Sequence, residues 1–325
     1  MRAAVFEDIK KIVYREDYPR PILGPDEVLI KVHYCGICGT DIGNFKYQIY
    51  QVPLIMGHEI SGEVVEIGKN ITNMSIGEKV IAINVLTYVT GQLKGLGIFE
   101  DGGFAEYVKV SKNNIFFPPK SISIKEAAMI ETFANIMRAL KFLSIQNNQK
   151  IIIIGGGSIG LAFLVTLISE KDPEYIVLIE PHEFLRKKAL EFGASKTFPP
   201  RKAKLRKFMK QYGHPSLIFD CVGSEETLKM AIDLIQRGGT ILLEGIQKGK
   251  INLRPFDFIN KEICLKACLG HDREDILAAI DLFAKNKIDA TKFISKVVHL
   301  EDLQTIFERF LEPTGRDFIK ILVKL

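Results

Sequence analysis

The sequence contains little cysteine and no strong excess of either charge. Its 325 residues include five cysteines, an odd number that argues against the paired disulfide framework of small secreted proteins. A reducing compartment suits such a chain better, so we expect a cytoplasmic location. The net charge of +5 is small for this length. It argues against nucleic-acid binding, which usually requires a strongly basic face.

Long apolar segments are also scarce. The first residues, MRAAVFEDIKK, contain Glu7 and Asp8 but no extended apolar stretch, so no secretory signal is expected. Residues 151–169 carry no charge and approach the length of a membrane span. Three consecutive glycines at 155–157 interrupt this stretch near its start. The pattern therefore predicts a buried strand, a glycine turn and a buried helix, and no membrane partner.

The chain is long enough for about two domains, and its pattern changes along the length. Residues 1–130 alternate short β-branched segments with proline and glycine, which is typical of strands and turns. Residues 121–145 have a helical pattern, in which Ser123 followed by Glu126 predicts a capping box. From residue 150 strands alternate with helices. This order predicts a parallel sheet with right-handed crossovers.

A glycine motif opens the second part of the chain. Gly155-x-Gly157-x-x-Gly160 follows an apolar strand and begins a helix, with Ser158 and Ile159 inside the motif. Such glycines allow a tight turn, close approach of the backbone to a pyrophosphate and close helix packing. The helix N-terminus adds free N–H groups and a positive dipole. The motif predicts a dinucleotide site.

An acidic residue stands where such a site requires one. Glu180 ends the next apolar strand, 25 residues after Gly155. A carboxylate there accepts hydrogen bonds from ribose hydroxyls and repels a 2′-phosphate, which predicts NAD over NADP. Arg186 is close to Glu180 in the sequence and could tolerate NADP, so this alternative stays open.

Three possible metal ligands lie between residues 38 and 59, in CGTDIGNFKYQIYQVPLIMGHE. Cys38, His58 and Glu59 offer a thiol, an imidazole and a carboxylate within 22 residues. A catalytic zinc needs three protein ligands and an open position. The spacing alone also fits a buried free cysteine near a turn histidine. Asp41 is expected either to bond the other nitrogen of His58 or to cap a turn.

Taken together, six segments resemble the medium-chain zinc-dependent alcohol and polyol dehydrogenases, especially the sorbitol, threonine and butanediol enzymes. They are GICGTD at 36–41, GHEISGEVVEIG at 57–68, DGGFAEYV at 101–108, GGGSIG at 155–160, FDCVGS at 219–224 and GGTILLEG at 238–245. The resemblance implies an α/β protein with a doubly wound parallel Rossmann sheet and a mostly β GroES-like catalytic domain. It places the catalytic domain at 1–131 and 269–325, and the NAD domain at 132–268.

The resemblance also implies roles for individual residues. The implied zinc ligands are Cys38, His58, Glu59 and Glu131, the last at a position where sorbitol-type members have a glutamate. Glu59 would bind the metal directly, bridge to it through water or exchange with the substrate. Thr40 would pass the alcohol proton onward through the cofactor ribose. Many relatives end this relay at a histidine where this chain has Gly43, so the proton must leave by water or another group. The catalytic set is then Cys38, Thr40, His58 and Glu59. The loops near the nicotinamide would include Val222, Gly223 and Gly245.

The implied activity is hydride transfer between NAD and a secondary alcohol, polyol or similar hydroxylated small molecule. One alternative is an NAD(P)-binding redox sensor or interaction protein on the same fold, without dehydrogenase turnover. Another is a zinc-independent quinone or enoyl reductase. Neither alternative needs Cys38, His58 and Glu131 together, so the ligand set favours the zinc-dependent dehydrogenase.

Two further expectations concern stoichiometry. Residues 84–100 contain no cysteine or histidine, whereas many relatives have a structural zinc lobe there, so we expect one zinc per chain. The segment Val89 to Gly97 is predicted to be a flexible turn.

The apolar, β-prone residues 251–269, which include Cys264 and Cys268, could pair with a second copy. A homodimer or homotetramer is expected, with both cysteines in the interface or the core.

Overall fold

The change of pattern near residue 150 is matched by a change of secondary structure. A computed structural model describes residues 1–83, 87–89, 92–246, 249–312 and 316–325, with only the backbone of 87–89, 92–94 and 202. The strands are β1 (Ala3–Asp8), β2 (Lys11–Arg15), β3 (Glu27–Gly36), β4 (Leu54–Ile55), β5 (Glu59–Ile67), β6 (Lys79–Ala82), β7 (Thr87–Val89), β8 (Gln92–Lys94), β9 (Tyr107–Ser111), β10 (Ile115–Phe116), β11 (Lys150–Ile154), β12 (Tyr175–Ile179), β13 (Lys196–Phe198), β14 (Leu217–Asp220), β15 (Thr240–Leu243), β16 (Cys264–Ala267), β17 (Ile294–Val298) and β18 (Lys320–Lys324). The helices are α1 (Gly39–Tyr47), α2 (Ile124–Ala127), α3 (Ile130–Lys141), α4 (Ser158–Glu170), α5 (Glu183–Glu191), α6 (Lys202–Tyr212), α7 (Glu225–Leu234), α8 (Pro255–Lys261), α9 (Arg273–Ala284) and α10 (Leu303–Leu311).

The chain divides into two compact units, each made of separate segments. The first unit contains Met1–Ala134, Gly270–Thr314 and Lys320–Leu325. The second contains Asn135–Leu269 and Gly315–Ile319. The second unit thus includes a short segment before the last strand, which the sequence analysis had assigned to the catalytic domain.

The first unit is built on a mixed sheet in the order β10-β6-β5-β3-β18-β17, with β9 also beside β3. The last strand, β18, runs antiparallel to β3 and pairs Val323 with Cys35. Aromatic rings fill part of the core, where Phe133 lies 5.1 Å from Phe283 and 5.5 Å from Phe293 between ring centroids. This topology brings the end of the chain next to the segment that carries the candidate metal ligands.

The second unit contains a parallel sheet in the order β13-β12-β11-β14-β15-β16. This is the doubly wound order of dinucleotide-binding folds, and it confirms the predicted fold class. Strand β11 lies in the middle, and Ile151 to Ile154 are buried because helices cover both faces of such a sheet. The strand order reverses between β11 and β14. In open α/β sheets, ligands bind beyond the carboxyl ends of the strands at this point.

Two local predictions concern the start of α2 and the segment 89–97. The capping box at α2 is confirmed, because Ser123 Oγ accepts from the Glu126 N–H at 3.2 Å and the Glu126 carboxylate accepts from the Ser123 N–H at 2.9 Å. The predicted turn at 89–97 is wrong where strands β7 and β8 pair. Residues 90 and 91 of that segment lie outside the described residues.

The β-prone reading of 251–269 is only partly right. Helix α8 occupies the middle of this segment, with Pro255 at its start and Asp257 in its first turn, both of which favour a helix N-terminus. Only β16 is a strand. Within the described part of the chain, no helix is both long and apolar enough to cross a membrane.

Candidate metal centre and dinucleotide site

Three donor atoms converge in the first unit. The Sγ of Cys38, a ring nitrogen of His58 and a carboxylate oxygen of Glu59 all lie within 4.8 Å of one another. Cys38 is the N-cap of α1, and Glu59 begins β5 opposite Gly36 of β3. His58 and Glu59 are buried, while Cys38 is partly exposed. Thiolate, imidazole and carboxylate are the donors that zinc takes in proteins, so this set fits zinc.

Asp41 organises the loop on both sides of this centre. Its carboxylate accepts from the Cys38 N–H at 2.8 Å and from the Gly57 N–H at 3.3 Å. Its Oδ1 also lies 3.5 Å from His58 Nδ1. Burial alone would lower the pKa of His58, but the charges of Asp41 and Cys38 outweigh it and raise that pKa. The two roles considered for Asp41 therefore coexist: it caps α1, and it faces the imidazole.

A buried lysine that the sequence analysis missed neutralises Glu59. Lys320 Nζ donates to Glu59 Oε1 at 2.5 Å and to the Ile37 carbonyl at 3.3 Å. Thr132 Oγ1 donates to the same carboxylate oxygen at 3.4 Å. Burial raises the pKa of Glu59, and the ammonium opposes that rise. The available signal was a lysine inside the apolar run FIKILV, because a buried cation requires a partner.

Glu131 lies outside the three-donor group. It is buried on α3, and its Oε1 lies 3.7 Å from Nδ1 of His271. Its negative charge nevertheless acts on the pKa of both Glu59 and Lys320, so it belongs to the same charged region. His271, also buried, has no ligand spacing in the sequence, and no local pattern reveals it. The role of Glu131 as a zinc ligand stays a prediction.

Thr40 stands in the first turn of α1, close to the thiol. The Cys38 Sγ and the Thr40 Oγ1 are 3.8 Å apart, and the thiol is oriented as a weak donor. A Cβ added at Gly43 would lie 3.5 Å from Ile49 Cδ1. The structure therefore places Thr40 beside the donor group, and its place in a proton relay stays a prediction.

The glycine motif of the second unit forms a loop too tight for side chains. Gly155 has a φ of +100°, which L-residues rarely adopt. A Cβ on Gly160 would lie only 1.9 Å from the Gly155 carbonyl oxygen. Helix α4 begins at Ser158 with Ile159 next, and Gly157 is its N-cap. This bare backbone at a helix N-terminus fits the pyrophosphate of a dinucleotide.

Glu180 lies directly beside this loop. Its carboxylate accepts from the Gly156 N–H at 2.7 Å and from the His182 N–H at 2.9 Å. Arg186, the open question for NADP, donates to the Glu180 carbonyl at 2.8 Å and also to the Pro181 carbonyl. The acidic side chain therefore stands at the strand end where ribose recognition is predicted, while Arg186 is engaged by main-chain oxygens.

The predicted nicotinamide-side residues pack against one another. A Cβ on Gly223 would lie 2.2 Å from the Gly245 carbonyl oxygen. Asp220, which the sequence analysis missed, accepts from the Val222 and Gly223 N–H groups at 3.1 and 3.0 Å. Thr227 Oγ1 donates to its other oxygen at 3.0 Å. Burial raises the pKa of Asp220, and these donors oppose the rise.

The fold and the two sites define a class of α/β oxidoreductases with a metal centre in a β-rich unit and a dinucleotide site in a doubly wound unit. Comparison with known proteins gives the same result. Residues 24–120 match the alcohol dehydrogenase GroES-like domain, and residues 173–285 match the zinc-binding dehydrogenase domain. The chain belongs to the zinc-dependent medium-chain alcohol and polyol dehydrogenases. It is a zinc- and nicotinamide-dinucleotide-dependent oxidoreductase.

Individual relatives span nearly the whole chain. L-galactonate-5-dehydrogenase of Escherichia coli K12 is 28% identical, over 98% of each chain. The structure of 2R,3R-butanediol dehydrogenase from Bacillus subtilis has a TM-score of 0.89 and 26% identity, covering 100% of this chain and 99% of that one. A protein from Sinorhizobium meliloti 1021 assigned to the zinc-binding dehydrogenases, solved with NADP bound, has a TM-score of 0.89 and 27% identity with the same coverage.

Proposed function

We propose that the chain transfers a hydride between NAD and a secondary alcohol or polyol, with Cys38, His58 and Glu59 as its zinc site. The observation that carries this proposal is the convergence of these three donors within 4.8 Å. The relatives support the substrate class, since one acts on L-galactonate and another on 2R,3R-butanediol. Both are compounds with a secondary hydroxyl group beside other polar groups.

The residues of the centre have different roles. Cys38, His58 and Glu59 would hold zinc, with Glu131 as a further predicted ligand, and the metal would supply a Lewis acid that stabilises negative charge on the substrate oxygen. Asp41 fixes the imidazole, as partners of metal-binding histidines do. Thr40 accepts the proton of the substrate hydroxyl and releases it to water, since Gly43 provides no group to continue the relay.

The decisive experiment combines metal analysis with turnover. We expect about one zinc per chain and reduction of NAD by secondary alcohols or polyols, lost on chelation and restored by zinc. Binding of NAD without turnover across such a panel would instead support the sensor alternative. Turnover that persists without metal would support the zinc-independent reductase.

The preference for NAD rests on Glu180, whose carboxylate repels a 2′-phosphate. We expect a kcat/KM ratio that favours NAD. The NADP bound by the Sinorhizobium relative makes this comparison informative. A ratio that favours NADP would contradict the role of Glu180 and direct attention to Arg186.

One zinc per chain is supported by the distribution of ligands. Among the residues that the structure describes, Cys38, His58 and Glu59 form the single group of three or more possible donors. The interval 84–100 provides neither cysteine nor histidine. Two tightly held zinc ions per chain would contradict this proposal.

A homodimer or homotetramer is supported by the edge of the parallel sheet. Strand β16 ends this sheet, and Leu265 on it and Leu269 beyond it are 40% and 60% exposed. An exposed apolar edge strand favours pairing with a second copy across a two-fold axis. Cys264 is exposed, which leaves the interface as its proposed place and removes the core alternative.

Light scattering tests this assembly. Leu265→Lys is expected to lower the mass toward that of one chain, because the charge would be buried at the edge. Leu190→Lys on α5, where the leucine is 49% exposed, serves as the matched control and should leave the mass unchanged. A wild-type protein that is monomeric at micromolar concentration would contradict the proposal.

The cytoplasm is proposed as the location because none of the five cysteines forms a disulfide. Cysteines kept as thiols are typical of proteins from reducing compartments. Fractionation of cells that produce the protein, with titration of five reactive thiols after unfolding, tests this location. Recovery in an oxidised form outside the cytoplasm would contradict it.

A further inference from the structure

A basic segment of the second unit contributes no residue to either site described above. Residues 192–219 contain seven lysine or arginine residues and no aspartate or glutamate, whereas the whole chain has 44 such cations and 39 such anions. The remainder of the chain therefore has 37 cations and 39 anions, a net charge of −2. The positive net charge of the protein is concentrated in this segment, and five of its seven cations lie on α6.

Helix α6 has one buried side and one charged side. Its buried side consists of Leu205, Phe208 and Met209, which belong to the hydrophobic core of the second unit. Its exposed side carries four cations, here called the basic face: Lys204, Arg206, Lys207 and Lys210. At 3.6 residues per turn, these cations lie on the side of the helix opposite to the apolar residues. The core holds the helix in place, and its cations are presented to solvent.

Most of the basic face lacks the carboxylate partners that lysines of the preceding helix have. On α5, Lys187 Nζ lies 2.9 Å from a carboxylate oxygen of Glu183. On α6, Arg206 forms an ion pair with Asp233 of α7 at 2.9 Å. Among the residues that the structure describes, no carboxylate forms an ion pair with any of the three lysines of this face. Three exposed positive charges are therefore left uncompensated within the described part of the chain.

The arrangement of these charges weakens the helix that carries them. Lys204, Lys207 and Lys210 follow one another at intervals of three residues, which places the Cβ atoms of neighbours about 5–6 Å apart. Like charges at such spacings destabilise a helix. Arg201, the N-cap, adds a cation at the end where the helix dipole is already positive. A partner with several negative charges would relieve both effects, so the basic face is complementary to a polyanion.

The surroundings of the basic face favour an acidic protein segment over a membrane or a nucleic acid. A helix that binds a membrane surface buries its apolar side in lipid, whereas the apolar side of α6 is packed in the core. Sites for single-stranded nucleic acid combine a groove with aromatic platforms. Helix α6 is convex, and Tyr212, at its last position, is its one exposed aromatic residue. In an extended peptide, alternate side chains lie about 6.5 Å apart on one side, close to the spacing of the lysines.

We propose that the basic face of α6 binds an extended, acidic segment of another protein. Lys204, Lys207 and Lys210 would pair with successive carboxylates on one side of that segment. Lysine suits this role because its flexible stem can bring a point charge to carboxylates at different positions. The proposal adds an interaction to the molecule and does not depend on the proposed dehydrogenase activity.

Fluorescence anisotropy with a labelled peptide tests the proposal. The probe has about eight alternating glutamate and serine residues, enough to span the helix. We expect the full-length wild-type chain to bind this peptide at low ionic strength and to release it as salt screens the exposed charges. The combined variant Lys204→Gln, Lys207→Gln and Lys210→Gln should weaken binding about 10-fold, because three modest ion pairs are lost together. Unchanged NAD affinity would show that this variant is folded.

The matched control removes three positive charges from other surface positions. It combines Lys11→Gln, Arg237→Gln and Arg254→Gln. Each of these cations is exposed and already forms an ion pair with a carboxylate. The control has the same net charge as the α6 variant and should bind the peptide as the wild type does.

Three results would overturn the proposal. One is the absence of peptide binding by the wild-type chain at low ionic strength. Another is an equal loss of affinity in both triple variants, which would assign binding to net charge and not to α6. The third is tighter binding of oligouridylate or of phosphatidylserine vesicles than of the peptide, with the same dependence on the three lysines. That result would assign the basic face to a nucleic acid or a membrane surface.

Discussion

The metal centre and the glycine loop are built on opposite principles. The centre consists of side chains from distant parts of the sequence, with Lys320 reaching Glu59 across 261 residues. The loop consists of main-chain atoms from one short segment, 155–160. A centre made of side chains is damaged when a group is removed. A loop made of bare backbone is damaged when an atom is added.

The two regions also differ in their electrostatics. Buried charges at the centre must balance one another, because an unpaired buried charge costs several kcal/mol. At the loop, N–H groups and a helix dipole provide partial charges that every sequence possesses. Substitutions in the two regions should therefore affect activity, stability and NAD binding differently. The variants below are ordered from the largest expected effect to the smallest.

The largest effect is expected at the zinc donors. Cys38→Ser or His58→Ala should lower kcat/KM by about 10,000-fold, or about 5 kcal/mol, because the Lewis acid is lost. NAD affinity should be retained, since the glycine loop belongs to the other unit. Zinc analysis, steady-state kinetics and NAD titration check this. Loss of NAD binding in a folded variant would show that the zinc centre and the glycine loop do not act independently.

The next effect concerns charge balance at the centre. Lys320→Met should destabilise the first unit by about 3–5 kcal/mol, because Glu59 is left buried without its partner. Adding Glu59→Gln should restore part of the stability. Urea unfolding followed separately for each unit measures this. Lys324→Met, at an exposed position of the same strand, is the control and should change little. Equal stability of the two lysine variants would show that the pair is unimportant.

A smaller loss is expected from adding an atom to the loop. Gly160→Ala should weaken NAD binding by about 10- to 100-fold, since overpacking typically costs about 1–3 kcal/mol. The new Cβ would lie 1.9 Å from the Gly155 carbonyl oxygen and would displace it. Zinc content should not change. Gly249→Ala adds the same atom where nothing lies within 4 Å, so its NAD affinity should match the wild type.

The smallest effect compares equivalent helix caps in the two units. Ser123→Ala and Ser224→Ala should each cost about 1 kcal/mol, because each removes an N-cap hydrogen bond. Only Ser224→Ala should also weaken NAD binding, since Thr227 joins that cap to Asp220. Glycine at each position should cost only a few tenths of a kcal/mol. Equal NAD affinities for both alanine variants would show that the Ser224 cap has no effect on NAD binding.

Much of the second unit could be predicted because its signals are local. The glycine spacing, the apolar strand before it and Glu180 at the next strand end follow from residues close in the sequence. Cys38, His58 and Glu59 were also found together because one segment of 22 residues carries them. The prediction failed at 255–261, where Pro255 and Asp257 start a helix inside a β-prone stretch.

The sequence by itself therefore determined the change near residue 150 to alternating strands and helices, the bare glycine loop and the three donors that lie within 22 residues. Only the tertiary structure decided the partners of buried charges: Lys320 for Glu59 and His271 for Glu131. The physical reason is that local geometry follows from the preferences of neighbouring residues. Charge compensation in a core depends only on distance in space, and sheet pairing can bring any two parts of the chain together.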